Sequence, residues 1–212
     1  GVIGSNQTGA KTRGLHLHST KVVSDEGLPL GVLRAQCWAP KVKDDSRKTF
    51  EIPIEEKETY AWIVGMRDCE DVAAQMPQTR IVQVMDREAD FFELFDAWRQ
   101  GPQHTHMLVR ANHNRKTTSE LNLFEAVQAA EPSLRFKLHL DRQSARPKKS
   151  KQKASPGRAE RIAEVTLRHL RVELCPPRYV RHKDAMPLWV VHLVEENPPE
   201  GVEPVEWYLL TT

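Results

Sequence analysis

The sequence is poor in cysteine and in long apolar runs. Its three cysteines, Cys37, Cys69 and Cys175, are widely spaced and form no Cys-x-x-Cys pair, which argues against a disulfide framework or a zinc site. A reducing, cytoplasmic location is therefore expected. No apolar run reaches the roughly 18 residues of a membrane-spanning helix, so no membrane partner is expected.

The chain also has little net charge. The formal value is only +2 over 212 residues, so composition alone does not indicate a nucleic-acid-binding protein. The distribution is uneven, because the segment 142–161 is strongly basic and includes Lys148 and Lys149. Such a run predicts a loop that joins two strands of a hairpin. The loop either follows a phosphate backbone or is only solvated, and the sequence leaves both alternatives open.

The spacing of apolar residues predicts a β-β-α-β-α-β order in the first half of the chain. Two extended stretches around a Gly-containing turn indicate a β-hairpin at 15–39. Helical spacing follows at 62–76 and again at 91–98, where Phe and Trp residues are expected in the core. Short apolar runs at 81–85 and 107–109 are typical of buried strands. This alternation favours an α/β fold.

The second half of the chain is predicted to be mostly extended. Asn122 and Glu125 resemble a capping box for a short helix that continues to Ala130. Beyond it, apolar and polar residues alternate with a period of two, which predicts strands. These strands are expected at 134–140, 165–174, 188–194 and 207–210.

Asp86 is the first candidate for a functional residue. It lies directly after the buried strand 81–85, where active sites of open α/β sheets are built. A carboxylate at this position can bind Mg²⁺, which coordinates oxygen ligands and retains water and substrate phosphates. The alternative is structural, with Asp86 capping the helix that begins near Glu88.

Four motifs resemble DDE transposases of the bacterial insertion-sequence class. Val84 to Asp90 contains "DREAD", which is similar to the motif that carries the second catalytic aspartate. Leu108 to Lys116 is similar to the family's "VRxxHxRK" strand and basic turn, and 197–212 resembles its "NPP…W-LLT" segment. Lys11 to His18 resembles the start of the second core strand. The four motifs occur in the family order.

The resemblance implies a ribonuclease H-like mixed sheet with flanking helices and a β-rich insertion. The core is then expected at 1–130 and the insertion, with the basic loop 142–161, at 131–212. In the family the first aspartate precedes this stretch and the glutamate follows it, so only Asp86 of the three carboxylates is expected here. Two-metal phosphoryl transfer with Mg²⁺ or Mn²⁺ is then expected of a longer chain. This chain alone is expected to be inactive.

The resemblance also implies a partner and further site residues. The partner is double-stranded DNA at transposon ends, where the full-length family member pairs two ends as a homodimer. Basic side chains are expected to contact phosphate oxygens without reading bases. These candidates are Arg87, Arg110, His113, Arg115, Lys116, Lys148 and Lys149.

Other functions fit the same residues. A catalytically dead remnant would bind DNA without cutting it, and a metal-dependent nuclease unrelated to transposition would need a second carboxylate near Asp86. In a structural or interaction module, Asp86 would only flank a helix. DNA binding and its salt dependence separate the last alternative from the others.

Overall fold

The computed structural model describes residues 3–5, 11–39, 48–145 and 157–212. The chain forms two compact units. The first comprises Gly1–Asp68 and Asp141–Ala159, and the second comprises Cys69–Leu140 and Glu160–Thr212. The division at residue 130 that the sequence suggested stays a prediction. Among the residues described, no helix is long and apolar enough to cross a membrane.

The first unit contains two antiparallel strand pairs. Short strands β1 (Ile3–Ser5) and β2 (Lys11–Arg13) pair with each other. Strands β3 (His16–Val23) and β4 (Pro29–Trp38) form the predicted hairpin. Its turn contains Gly27 at φ 84°, a backbone conformation that glycine adopts without steric penalty. The predicted hairpin is therefore confirmed.

Helix α1 (Tyr60–Gln75) begins in the first unit, where its first turns pack on the hairpin. The rings of His18 and Trp62 lie 4.4 Å apart, and Gln36 donates to the Ala61 carbonyl at 2.9 Å. Gly65 allows a close approach, because a Cβ built there would lie 2.9 Å from the Thr20 hydroxyl oxygen. Helical spacing at 62–76 thus predicted this element correctly.

The second unit is built on one six-stranded mixed sheet with the strand order β5-β6-β10-β9-β8-β7. Strands β5 (Val82–Met85) and β6 (His106–Arg110) are parallel. All other neighbours are antiparallel. The remaining strands are β7 (Leu134–Leu140), β8 (Arg161–Leu174), β9 (Met186–Glu195) and β10 (Glu206–Thr211). The fold is therefore mixed α/β, as the alternation predicted.

Two helices lie wholly within the described part of this unit. Helix α2 (Phe92–Gln100) links β5 to β6 and buries Phe92, Leu94 and Phe95. Helix α3 (Leu123–Gln128) precedes β7, packs on β8 and β9, and buries Leu123, Ala126 and Val127. Of the aromatic residues expected in the core, Phe92 and Phe95 are buried, whereas Trp62, Phe91 and Trp98 are partly exposed.

The predicted capping box of α3 is wrong. Asn122 occupies the N-cap position, but its side chain forms no capping hydrogen bond. Instead Asn114 supplies the cap from eight residues upstream, because its Oδ1 accepts from the Phe124 backbone N–H at 2.9 Å. The Asn114 amide also donates to both carboxylate oxygens of Glu125, at 2.8 and 3.0 Å. Glu125 is therefore used to orient Asn114.

The two faces of the six-stranded sheet differ in burial. Register partners share a face, and so do residues i and i+2 of one strand. One face contains the paired residues Met85, Val109, Leu210 and Val190, all of which are buried. The other face, here called the open face, contains the row Arg110, Leu209, Val191 and His169 and the residues two positions away from it, among which Leu193 is buried.

Exposed apolar residues mark the open face. Val84 is 73% exposed, Trp207 42% and Trp189 41%. Strands of parallel pairs are usually covered on both faces, so an exposed Val84 beside Leu108 is unusual for β5. Large exposed apolar patches mark interaction sites more often than scattered surface residues do.

Candidate functional site on the open face

Asp86 lies where the sequence placed it, directly after β5. Its backbone is extended (φ −82°, ψ −170°), and the side chain is exposed. One carboxylate oxygen, Oδ1, accepts from the Glu88 N–H at 2.8 Å and caps the short 3₁₀ turn Arg87–Ala89. The structural interpretation of Asp86 as a cap is therefore confirmed. Within the described part of the chain Oδ2 accepts no hydrogen bond, so the cap leaves it open to a ligand.

Strand register brings Asp86 next to Arg110. Met85 pairs with Val109 in the parallel β5–β6 ladder, so the next residues along the two strands, Asp86 and Arg110, lie side by side. Both strands are still extended there, and side chains alternate between faces. Arg110 pairs with Leu209 and therefore points to the open face, at one end of the row that continues to His169, and the Asp86 backbone lies beside it at the carboxyl end of β5.

Arg110 lies in a positively charged and partly desolvated setting. Its guanidinium carbon is 5.4 Å from the centre of the Trp207 ring, a cation–π geometry. Burial lowers the pKa of Arg110, and the nearby positive charge of Arg87 lowers it further. The two arginines lie close enough to repel one another. An anion between them would relieve the repulsion, as phosphate oxygens do with guanidinium groups.

Arg115, a predicted DNA contact, is engaged inside the protein. Its Nε and NH2 donate to Asp90 Oδ1 at 3.1 and 2.8 Å, and NH2 also donates to the Asp90 carbonyl. Asp90 Oδ2 accepts from the backbone N–H groups of Asn112 and His113, at 2.7 and 3.0 Å. The Asp90 side chain is fully buried. Asp90 thus fixes the turn that follows β6.

The other predicted DNA contacts differ in setting. His113 and Lys116 are exposed in that same turn, and Arg87 is exposed beside Asp86. The His113 ring Nε2 lies 3.3 Å from the Asn112 amide nitrogen. Lys148 and Lys149, in the basic loop, lie outside the residues that the structure describes. The structure therefore brings Asp86, Arg87 and Arg110 together, with Arg115 serving to hold the adjacent turn.

The residues described do not by themselves fit a two-metal centre. Such a centre needs several oxygen ligands for two cations about 3.5 to 4 Å apart. In the described ranges no group of three or more His, Cys, Asp or Glu side chains is arranged to hold a metal ion. Asp86 therefore offers one possible ligand, and no metal-dependent step is derived from it alone.

Sequence reasoning missed Asp90 and Trp207 as site residues. Asp90 ends the same motif as Asp86, and its apolar neighbours were a signal that it would be buried and paired. No local signal showed that Trp207 would meet Arg110, because the contact depends on the pairing of β10 with β6. That register pairs Arg110 with Leu209. Trp207 is two residues before Leu209 and therefore lies on the same face as Arg110.

A polar network holds β10 from the buried side of the sheet. Glu206 accepts from the Tyr208 hydroxyl at 2.7 Å and contacts His192 Nε2 at 2.8 Å. The hydrogen bond from Tyr208 lowers the pKa of Glu206. Burial, and then Glu206, raise the pKa of Tyr208 to about 12. Tyr208 also stacks between Phe124 and His192. Trp207 lies between Glu206 and Tyr208 in β10, so this network holds its side chain on the open face.

A comparison with models of known protein families finds no match for this sequence.

Proposed function

We propose that the chain forms part of the DNA-cutting core of a DDE-type transposase, with a ribonuclease H-like fold and a β-rich insertion. In this proposal Asp86 contributes one carboxylate to a Mg²⁺ or Mn²⁺ site, and the open face receives double-stranded DNA at the transposon end. A bacterial protein that processes DNA acts in the cytoplasm, so the proposal includes a cytoplasmic location. Pairing of two ends by a homodimer belongs to the same proposal.

The observation that carries the proposal is the grouping of Asp86 with Arg87 and Arg110. An exposed carboxylate at the end of a parallel strand is suited to a hard cation. Two neighbouring guanidinium groups are suited to the phosphates of a DNA backbone. The arginines would therefore hold a phosphate of the backbone, and Asp86 would supply one ligand to a metal ion that could stabilise charge at that phosphate.

The edge of the sheet supports the proposed fold. Strand β5 is an end strand and pairs only with β6 within the described residues. An unpaired edge beside a functional strand is unusual, since proteins commonly cover or pair such edges. A ribonuclease H-like core would place there the strand that carries the first aspartate.

The proposed activity requires carboxylates other than Asp86. One aspartate cannot hold two cations, so we expect this chain alone to bind Mn²⁺ weakly or not at all and to leave DNA uncut. A longer chain with the upstream aspartate and the downstream glutamate would complete the site. A catalytically dead, DNA-binding remnant is the second candidate, because Arg87 and Arg110 would contact phosphates whether or not a metal site is complete.

The test uses nicking of supercoiled plasmid DNA in Mn²⁺ by such a longer chain. We expect Asp86→Ala to abolish nicking, because removing the carboxylate removes a metal ligand. Asp86→Asn should do the same while keeping the cap. Asp71→Ala is the matched control, since Asp71 is also an exposed aspartate but lies on helix α1.

Unchanged nicking by both Asp86 variants would show that Asp86 is only a cap. DNA binding by the wild-type longer chain without any nicking would favour the dead remnant. Absence of duplex binding even at low salt, where phosphate contacts are strongest, would instead favour an interaction module.

A further inference from the structure

The open face has a second aromatic cluster that the proposed site does not use. Trp189 on β9 is 41% exposed. The ring of His169 lies 5.6 Å from it, tilted by 47°, and Ser133 Oγ contacts His169 Nδ1 at 2.7 Å. The Ser133 contact holds the imidazole in place beside the indole.

Arg171 adds a cation to this cluster. It is the register partner of Trp189 across the β8–β9 ladder, so the two side chains stand next to each other on the open face. Arg171 is exposed and forms no hydrogen bond or ion pair in the described part of the chain. Glu173, two residues further along β8, lies on the same face, and its Oε2 accepts from the Thr118 hydroxyl at 3.4 Å.

We propose that Trp189, His169 and Arg171 form a binding platform for unpaired DNA bases and their phosphates. An exposed indole on a β-sheet stacks on a base of any sequence, and a neighbouring arginine contacts the phosphate backbone. The platform thus combines the aromatic surface and the positive charge that a single strand needs. A purely apolar protein partner would leave the Arg171 charge without an anion.

The position of the platform extends the proposed function and rests on it. Trp189 and Arg110 share the open face, and they are two strands and two residues apart. Strands lie about 4.8 Å apart and rise about 3.3 Å per residue, so the distance between the two residues is roughly 12 Å. Stacked nucleotides rise about 3.4 Å each, so roughly four nucleotides cover that distance. A strand freed from its complement near Asp86 would therefore reach Trp189.

The test measures fluorescence anisotropy of a labelled oligothymidylate of about 12 nucleotides, within the site sizes of single-strand binders, and of a duplex of equal length. We expect Trp189→Ala to weaken binding of the single strand roughly 5- to 100-fold. Trp189→Phe should retain most of the affinity. Arg171→Ala should lower the slope of log affinity against log salt by about 0.7, the value for one phosphate contact on a single strand.

The matched control is Phe50→Ala, because Phe50 is also an exposed aromatic residue (53%, against 41% for Trp189) and lies in the first unit. It should leave the affinity for the single strand unchanged. Duplex binding should be unchanged in all four variants. Arg171→Ala, a surface change, keeps the proposal testable if Trp189→Ala fails to fold.

Equal single-strand affinity in the wild type, Trp189→Ala and Arg171→Ala would overturn the proposal. If duplex binding persists in that case, the proposed function stands without the platform. If the wild-type chain binds neither form of DNA, both are wrong. Conversion of a dimer into a monomer by Trp189→Ala, without any change in single-strand binding, would show that a second copy covers this face and would also overturn the proposal.

Discussion

The two aspartates of the "DREAD" segment should differ in how much stability is lost when each is replaced by alanine. The Asp90 side chain is fully buried and accepts hydrogen bonds from Arg115 and two backbone N–H groups. Removing it leaves the Arg115 guanidinium, 17% exposed, without its partner. Breaking such a buried pair costs about 3 to 5 kcal/mol. Asp86 is exposed, and its removal sacrifices one capping bond, about 1 kcal/mol.

These losses of unfolding free energy predict different melting temperatures (Tm) for the two variants. At roughly 2 to 4 °C per kcal/mol for a chain of this size, Asp90→Ala should lower Tm by about 6 to 20 °C. Asp86→Ala should lower it by about 2 to 4 °C. Thermal unfolding followed by circular dichroism measures both. Arg115→Ala and the Asp90/Arg115 double variant complete a cycle, with an expected coupling of about 1 to 3 kcal/mol.

Equal shifts for Asp86→Ala and Asp90→Ala would refute this reasoning. So would a coupling of zero between Asp90 and Arg115, since it would mean that the guanidinium gains nothing from the carboxylate. If instead Asp90→Ala unfolds the turn after β6 and also weakens duplex binding, the Asp90–Arg115 pair would act as a positioning element for the basic residues of that turn.

Two further predictions concern the surroundings of β10 and α3. Because the Tyr208 pKa is raised to about 12 from 10.0, its contribution to stability is present below pH 10 and lost as the pH rises towards 12. The Tm of the wild type should therefore fall as the pH rises from 10 to 12. The Tm of Tyr208→Phe should fall less over the same interval. Asn114→Ala should lower the stability of α3 by about 1 kcal/mol, and Asn122→Ala by less, because only Asn114 caps the helix. A larger effect for Asn122→Ala in urea unfolding would contradict the capping geometry.

Periodic segments were predicted well from the sequence. The hairpin 15–39, the helices at 62–76 and 91–98 and the strands of the second half all appear in the structure. Each is defined by residues close in sequence, whose spacing matches the period of a helix or a strand. The α3 cap was predicted wrongly because the residue that binds the Phe124 N–H is Asn114, in a loop upstream, and no local pattern reports such a contact.

The sequence by itself determined that Asp86 follows a strand and that Asp90 lies in an apolar segment, but the prediction that this strand is buried was wrong for Val82 and Val84, which are exposed. Strand pairing decided the rest, because residues distant along the chain become neighbours only when registers are set. The register of β6 with β10 brings Arg110 to Trp207, and that of β8 with β9 brings Arg171 to Trp189. Local periodicity therefore fixes which face a side chain takes within its strand, whereas only the assembled sheet decides what that side chain meets.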